Sequence, residues 1–463
     1  MDEAIITKVH SWLKDHEQEL IEDCQTLLQF PSVESTPEPD APFGRPVRDA
    51  LNWILTLSKK WGMQTKDLDG YAGYAEFGSG EKLIMSLGHL DVVPVGSGWK
   101  HDPFGAEMDQ GYLYARGAVD DKGPTIAALY AVRALKECVP NLPARIRAVF
   151  GCDEESGFEC IKHYLETEEV PTYGIAPDAS WPLYHAEKGI ADLILSVPKP
   201  KGGFELLEAS GGERPNIVMD CCQAKVKISP AYQQEVKERL MDAWDKNLHW
   251  NWNQDTLEIQ ALGKAAHGSK PFAGDSAAIR LFRFLSEIAP IELTQLFVDI
   301  LNTMQISGAG LGISCKDEVS KDLTSNIGIL KTKEDDLLLL FNIRYPVTWK
   351  GDSVLQTAKT FIQETYKNYD VIDFKDSSPL YVPLDHPLVK TLADVYTKET
   401  GEHLKPRVTG GGTYARAVPN TVAVGTGWEG DGKEHEPNER IKAKHLLKMS
   451  QIYAHMLYRM AFL

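Results

Sequence analysis

The chain has 463 residues, 43% of them hydrophobic and 25% charged, which is too long for one ordinary core and too apolar for extended disorder. Lys and Arg number 49 against 66 Asp and Glu, giving a net charge of −17. With no basic run to offset it, that balance excludes recognition of a phosphate backbone and removes nucleic acid from the expected partners.

The opening segment, MDEAIITKVHSWLKDHEQEL, mixes charges of both signs on a helical pattern and lacks the apolar core of a signal peptide. The spacing predicts helices over 4–30 and 47–62, and Lys-Leu-Ile-Met-Ser-Leu-Gly at 82–88 reads as a buried strand. Pro124 suits a helix start, and Ile126, Leu129, Val132 and Leu135 recur at helical spacing, so 123–137 is a helix. A strand over 145–152, a helix over 158–168 and a short strand at 173–176 follow. This alternation is the α/β signature. His89, Glu154 and Asp178 each come directly after such a strand, where open α/β sheets bind their ligands.

Near residue 184 the texture changes, with Pro198, Pro200, Gly202-Gly203 and Gly211-Gly212 breaking the chain. Strands at 190–197, 256–262 and 337–344 then alternate with helices at 230–246, 275–287 and 292–304. The reading is an inserted α+β domain over 185–380, between a first part at 1–184 and a second at 381–463. Pro379, Pro383 and Pro387 mark the return, before helices at 386–400 and 440–460 that flank a strand at 421–425. No stretch approaches the roughly 20 apolar residues of a membrane span. The seven cysteines are odd in number and show no CxxC spacing, which favours a reducing compartment. A cytoplasmic protein with no membrane partner is expected.

Several side chains fit metal chemistry. In His89-Leu90-Asp91 the spacing lets Asp91 accept a hydrogen bond from one imidazole nitrogen while the other faces a cation. Between Gly117 and Gly123 a tight turn pins Asp120-Asp121 at a helix entrance, where an Asp also serves as a simple cap. Glu154 and Glu155 leave a strand consecutively and point in opposite directions, so one can bind metal while the other faces water. Asp178 and the distant His435, taken alone, read more readily as solvated loop residues. Together these groups make a two-metal hydrolase site, with hard ligands, a carboxylate to bridge and another to take a proton.

The motifs SLGHLDVVPVG, LYARGAVDDKGP, GCDEESG, PDASWP, GKAAHGS, IRYP, GGGTYAR and HEPNE, in that order from residue 86 to 439, resemble the M20 metallopeptidase family and most closely its dipeptidase V subgroup. The resemblance implies a mixed-sheet α/β catalytic domain of the zinc-peptidase type with an inserted α+β lid domain. It implies that Asp120 bridges two divalent ions, that His89 and Asp178 complete one ligand set and that Glu155 and His435 complete the other. Asp91 would orient His89, Glu154 would be the general base, and the Asp120-Asp121 peptide would be cis. His267 resembles the residue that stabilises the oxyanion. Arg344 resembles the one that clamps the substrate's terminal carboxylate, with Asn216 assisting and Gly412 and Thr413 lining the substrate.

Donors that are only N and O admit Zn first, and Mn or Co as well. The expected activity is hydrolysis of small unblocked dipeptides by a chain that works as a monomer rather than a homodimer. Amide hydrolysis of N-acylated amino acids with the same metals is the rival reading, and a non-catalytic binding protein of the same fold is a second. A cysteine nucleophile at Cys152 or Cys160 has nothing at fixed spacing to activate it.

Overall fold

From Leu83 to His89 seven successive residues leave no exposed face. A strand of that kind fits an interior position in a sheet covered on both sides. In the computed structural model, which describes residues 2–242 and 245–463, it lies between Arg145–Gly151 and Tyr173–Ala179 and runs parallel to both. The chain divides into two compact units. One comprises Met1–His185, Val382–Arg407 and Gly412–Leu463, the other Ala186–Tyr381 and Val408–Gly411.

The sheet of the first unit runs, in spatial order, Gln64–Leu68, Ala72–Gly78, Arg145–Gly151, Leu83–His89, Tyr173–Ala179, Thr421–Gly425 and Leu183–Glu187. Its central pairings are parallel and its outer ones antiparallel, so it is mixed, as expected. Helix Lys122–Cys138 is almost wholly buried between this sheet and helix Ala443–Met460. The helix can come so close only because residue 88 is glycine. A Cβ there would stand 2.1 Å from Thr125 Oγ1 and 2.9 Å from Asp121 Oδ2.

Three local departures from the expected elements have clear causes. The opening helix is two, Asp2–Asp15 and Glu17–Leu28, broken at His16, whose φ of −108° and ψ of 14° leave the helical range. The last helix starts at Ala443 because Arg440–Lys442 pairs as a strand with Tyr112–Tyr114. The strand at 173 runs on to Ala179, so Asp178 lies within its end rather than after it. There the register slips: Val424 faces Pro177 and Gly425 faces Ala179, which leaves Asp178 as the extra residue of a bulge. A bulge re-aims a side chain, and this one sits at the sheet's carboxyl edge.

The second unit is built on an antiparallel sheet in the order Leu248–Asn253, Thr256–Leu262, Cys221–Ile228, Phe204–Gly211, Thr324–Lys333, Asp336–Tyr345, Gly189–Pro198 and Asp370–Ser377. Gly189–Pro198 alternates buried and half-buried residues along most of its length. Its inward side chains, among them Leu193 and Leu195, join Phe282, Leu285 and Ile362 of the helices in one core. The helix expected over 230–246 is present as Pro230–Asp242, and positions 243–244 of it lie outside the described residues. Val408–Gly411, which the boundary at 381 assigned to the first domain, packs with this unit instead. The Lys188 N–H donates to Thr409 O at 3.0 Å and Arg344 Nη1 to Gly410 O at 2.8 Å. No helix among the described residues is long and apolar enough to cross a membrane.

Gly88→Ala should lower stability by about 1–3 kcal/mol, because Thr125 and Asp121 must both move to admit one methyl group. Denaturant melts of the variant against the parent chain check this.

Candidate active site

The carboxylate of Asp120 stands between two imidazoles. One oxygen is 3.0 Å from His89 Nε2, at the end of the buried strand, and the other is 3.0 Å from His435 Nε2. His435 Nε2 is also 3.0 Å from Glu155 Oε1. Two donor groups result, His89 with Glu154 and Asp178, and Asp120 with Glu155 and His435; within each, one ligand atom per residue lies within 4.8 Å of the others. Asp120 touches both groups. The peptide Asp120-Asp121 is cis, as the resemblance implies.

The electrostatics of the cluster favour a cation. Burial, reinforced by Asp120, Glu154 and Asp121, raises the Asp178 carboxyl far above the usual carboxylate range. Burial likewise raises Glu154 strongly, with Glu155 and Asp120 adding to it against the opposing effect of His89, and raises Glu155 in spite of its hydrogen bond with His435. Hydrogen bonds to Asp120 and Glu155 push His435 up to about 10. Burial works to lower His89, but Asp120 and Asp91 outweigh it and hold the ring well above its ordinary value. Asp120 alone goes down, since the bonds from His435 and His89 overcome the cost of burying it. Such a pocket holds protons where divalent ions would relieve the same crowding of acids. Its oxygen and imidazole donors fit those ions.

Asp91 does a second job besides the one expected. Its carboxylate accepts the backbone N–H groups of Glu154 at 3.1 Å and Glu155 at 3.0 Å. The nearest partner of His89 Nδ1 is instead the Asp91 carbonyl oxygen, at 2.9 Å, with the carboxylate at 3.5 Å. Asp91 therefore fixes the turn that presents the Glu pair, and orients His89 mainly through its backbone. Asp121, read at first as a possible cap, accepts the His89 N–H and the Thr125 hydroxyl with one carboxylate oxygen.

Two groups escaped the sequence reading although both stand inside motifs it singled out. Arg116 and Glu439 form an ion pair at 2.7 Å, and each is 2% exposed or less. The free oxygen of Glu439 accepts the Val119 N–H at 2.8 Å and the Asp120 N–H at 3.2 Å. A lone Arg or Glu in a charged loop gives no signal by itself. The usable sign was that each lies within four residues of a candidate donor, Asp120 or His435.

The remaining candidates divide between the units. In the first, Gly412 is exposed, and Thr413 is buried with its hydroxyl oxygen accepting the Ala415 N–H, which caps a short turn of helix at Tyr414–Ala417. In the second, Asn216 and His267 are exposed on adjacent segments tied by the Gly268 N–H to Asn216 O bond at 2.6 Å. The Ser269 N–H donates to His267 Nδ1 at 3.2 Å, so in the neutral ring the proton sits on Nε2. Arg344 is buried and bonds Asn342 Oδ1 at 2.9 Å besides Gly410. It anchors the glycine-rich segment within its own unit.

The sequence profile of peptidase family M20/M25/M40 matches residues 85–459, so the chain belongs to that family and is a hydrolase of peptide bonds. Among its relatives is the Bacillus subtilis (strain 168) protein named "Putative dipeptidase YtjP", 38% identical over 457 residues that cover 96% of this chain and 97% of that one. A Staphylococcus epidermidis (strain ATCC 12228 / FDA PCI 1200) protein named "Putative dipeptidase" is 34% identical over 96% of this chain and 97% of its own length. Human carnosine dipeptidase 1 shares the fold, with a TM-score of 0.55 at 15% identity over 99% of this chain and 100% of that one. So does aminopeptidase PepT from Bacillus cereus ATCC 10987, with a TM-score of 0.57 at 16% identity over 96% and 99%.

Metal removal should destabilise the chain more as pH rises. The raised acids and raised histidines act with one sign: the folded metal-free chain keeps protons that the unfolded chain gives up above their ordinary values of 3.8 to 6.5, so its stability falls as pH climbs towards the folded values. Asp120 has the opposite sign, but its window lies below 3.8. The difference in Tm between metal-loaded and chelator-stripped protein is expected to widen from pH 5 to pH 8. A difference that stays flat or narrows over that range contradicts the ligand assignment.

Proposed function

We propose that the chain is a dipeptidase that hydrolyses small unblocked dipeptides with two divalent ions, zinc foremost among them. The observation that carries this reading is the meeting of six donors from five chain segments around the shared carboxylate of Asp120. The dipeptidase names of relatives aligned over 96% of the chain support the substrate class.

Asp120 would bridge the ions, His89 and Asp178 would complete one set, and Glu155 and His435 the other. When bound, such a pair supplies Lewis acidity that polarises a carbonyl and makes water more acidic. Glu154 is the remaining carboxylate of the cluster. It would take a proton from the attacking water as the oxygen bonds to the scissile carbon, then deliver that proton to the departing amine as the C–N bond breaks. A carboxylate in a buried, acid-rich pocket is suited to both halves of that exchange, because burial brings its proton affinity nearer to that of the groups it serves.

From the second unit, His267 would donate its Nε2 proton to the developing oxyanion. Arg344 would set the position of the substrate's carboxylate, directly or through the glycine-rich segment it holds.

Glu154→Gln is expected to cut turnover by at least about 100-fold while two equivalents of metal remain bound. Loss of an ion in that variant would instead make Glu154 a ligand of the His89 group. Arg344→Ala should act mainly on KM. A dipeptide panel with free and acetylated amino ends should show activity on the free set, and activity confined to the acetylated set would replace this reading with N-acyl-amino-acid hydrolysis.

A further inference from the structure

We infer that Arg116 and Glu439 are positioning residues that lock the bridging aspartate to the loop carrying His435, and so set the affinity of one of the two metal positions. The inference rests on the two-metal reading above and adds what holds those ligands in register.

His435 is the weakly supported member of the cluster. Its backbone is left-handed, with φ of 62°, a conformation disfavoured for a side chain with a Cβ, and Asn438 three residues on is the same at 61°. Its imidazole is 55% exposed, whereas the carboxylates it meets, Asp120 and Glu155, are 10% and 14% exposed. Lys433, Glu434, Glu436 and Pro437 around it are also exposed, so core packing does not fix the loop. Polar contacts must do so.

Those contacts are reciprocal. From the His435 side, Glu439 reaches across to the Val119 and Asp120 N–H groups, and its carbonyl oxygen accepts the Ala115 N–H at 3.2 Å. From the Asp120 side, Arg116 Nη1 donates to Glu439 Oε2 at 2.7 Å and lies 3.4 Å from Glu436 O, one residue beyond His435. The guanidinium is also held against the Trp99 ring, 5.3 Å from its centre. Asn438 adds a second tie, accepting the Lys100 N–H at 2.7 Å and donating to Gly98 O at 3.2 Å. Asn438, however, reaches neither ligand segment at Asp120. Among the described residues, the Arg116 and Glu439 side chains make the side-chain ties between residues 115–120 and 436–439, beside the single backbone bond from the Ala115 N–H. A buried carboxylate that bonds two backbone amides and a guanidinium has one stable geometry, and leaving any of those donors unpaired is costly. The pair therefore transmits position from the bridging ligand to His435.

Isothermal titration of chelator-stripped protein with Zn²⁺ or Mn²⁺ alone tests this. The parent chain should take up two ions. Glu439→Gln, equal in shape but without the charge, should weaken one of them by about 10–100-fold and leave the other within a few-fold. The ion weakened should be the one lost in His435→Ala. Should Glu439→Gln fail to fold, Arg116→Lys keeps the buried positive charge on a shorter stem, leaves no donor where Nη1 meets both Glu439 Oε2 and Glu436 O, and should show the same selective loss. Two ions bound with unchanged affinities in a folded variant, or both weakened equally, would overturn the inference. Fewer than two ions in the parent chain would instead overturn the two-metal reading itself.

Discussion

The sharing of one carboxylate by two imidazoles is the constraint on which the rest of the site depends. Asp120 offers one oxygen to His89 and the other to His435, and every other acid of the cluster is placed relative to that pair. Three of those acids are raised by burial and by the Asp120 carboxylate beside them. A protein gains nothing in stability from crowding carboxylates in this way, so the arrangement makes physical sense as a receptacle for positive charge.

The scaffold meets this demand with rigid parts at the strand ends and polar fastenings on the loops. His89 closes a strand that is buried throughout, and glycine at 88 lets the helix behind Asp120 lie close against it. Asp178 projects from a bulge that an uninterrupted strand would not provide. Asp91 spends its carboxylate on the two amides that fix the Glu154-Glu155 turn. His435 alone stands on an exposed loop, and there a buried ion pair takes over the work that packing does elsewhere.

Much of this was legible before any coordinates. The buried strand before His89, the helix after Asp121 and the alternation up to residue 179 follow from apolar periodicity, which is strongest where elements are covered on both faces. The donors at 89, 120, 154, 155 and 178 could be named because each stands at or beside the end of such an element, whereas His435, on an exposed loop, was legible only through its motif. Periodicity is silent where neighbours decide the outcome. Phe204–Gly211 and Thr324–Lys333 are strands because they pair with Cys221–Ile228 and Asp336–Tyr345, and glycine-rich flanks masked the first of them. Nothing local marks Val408–Gly411 as part of the second unit, since its hydrogen bonds come from Lys188 and Arg344 far away in sequence. The split duty of Asp91 was equally hidden: spacing places an acid near a histidine, but which donor it accepts is settled in three dimensions.

The strand Thr421–Gly425 is interior to the first unit's sheet, parallel to Tyr173–Ala179 on one side and antiparallel to Leu183–Glu187 on the other. During synthesis the ribosome must therefore complete the whole second unit before the slot between those two strands can be filled. Until then the nascent chain carries two unpaired strand edges and has not yet brought His435 to Asp120, which leaves the growing polypeptide sticky and its acidic cluster incomplete.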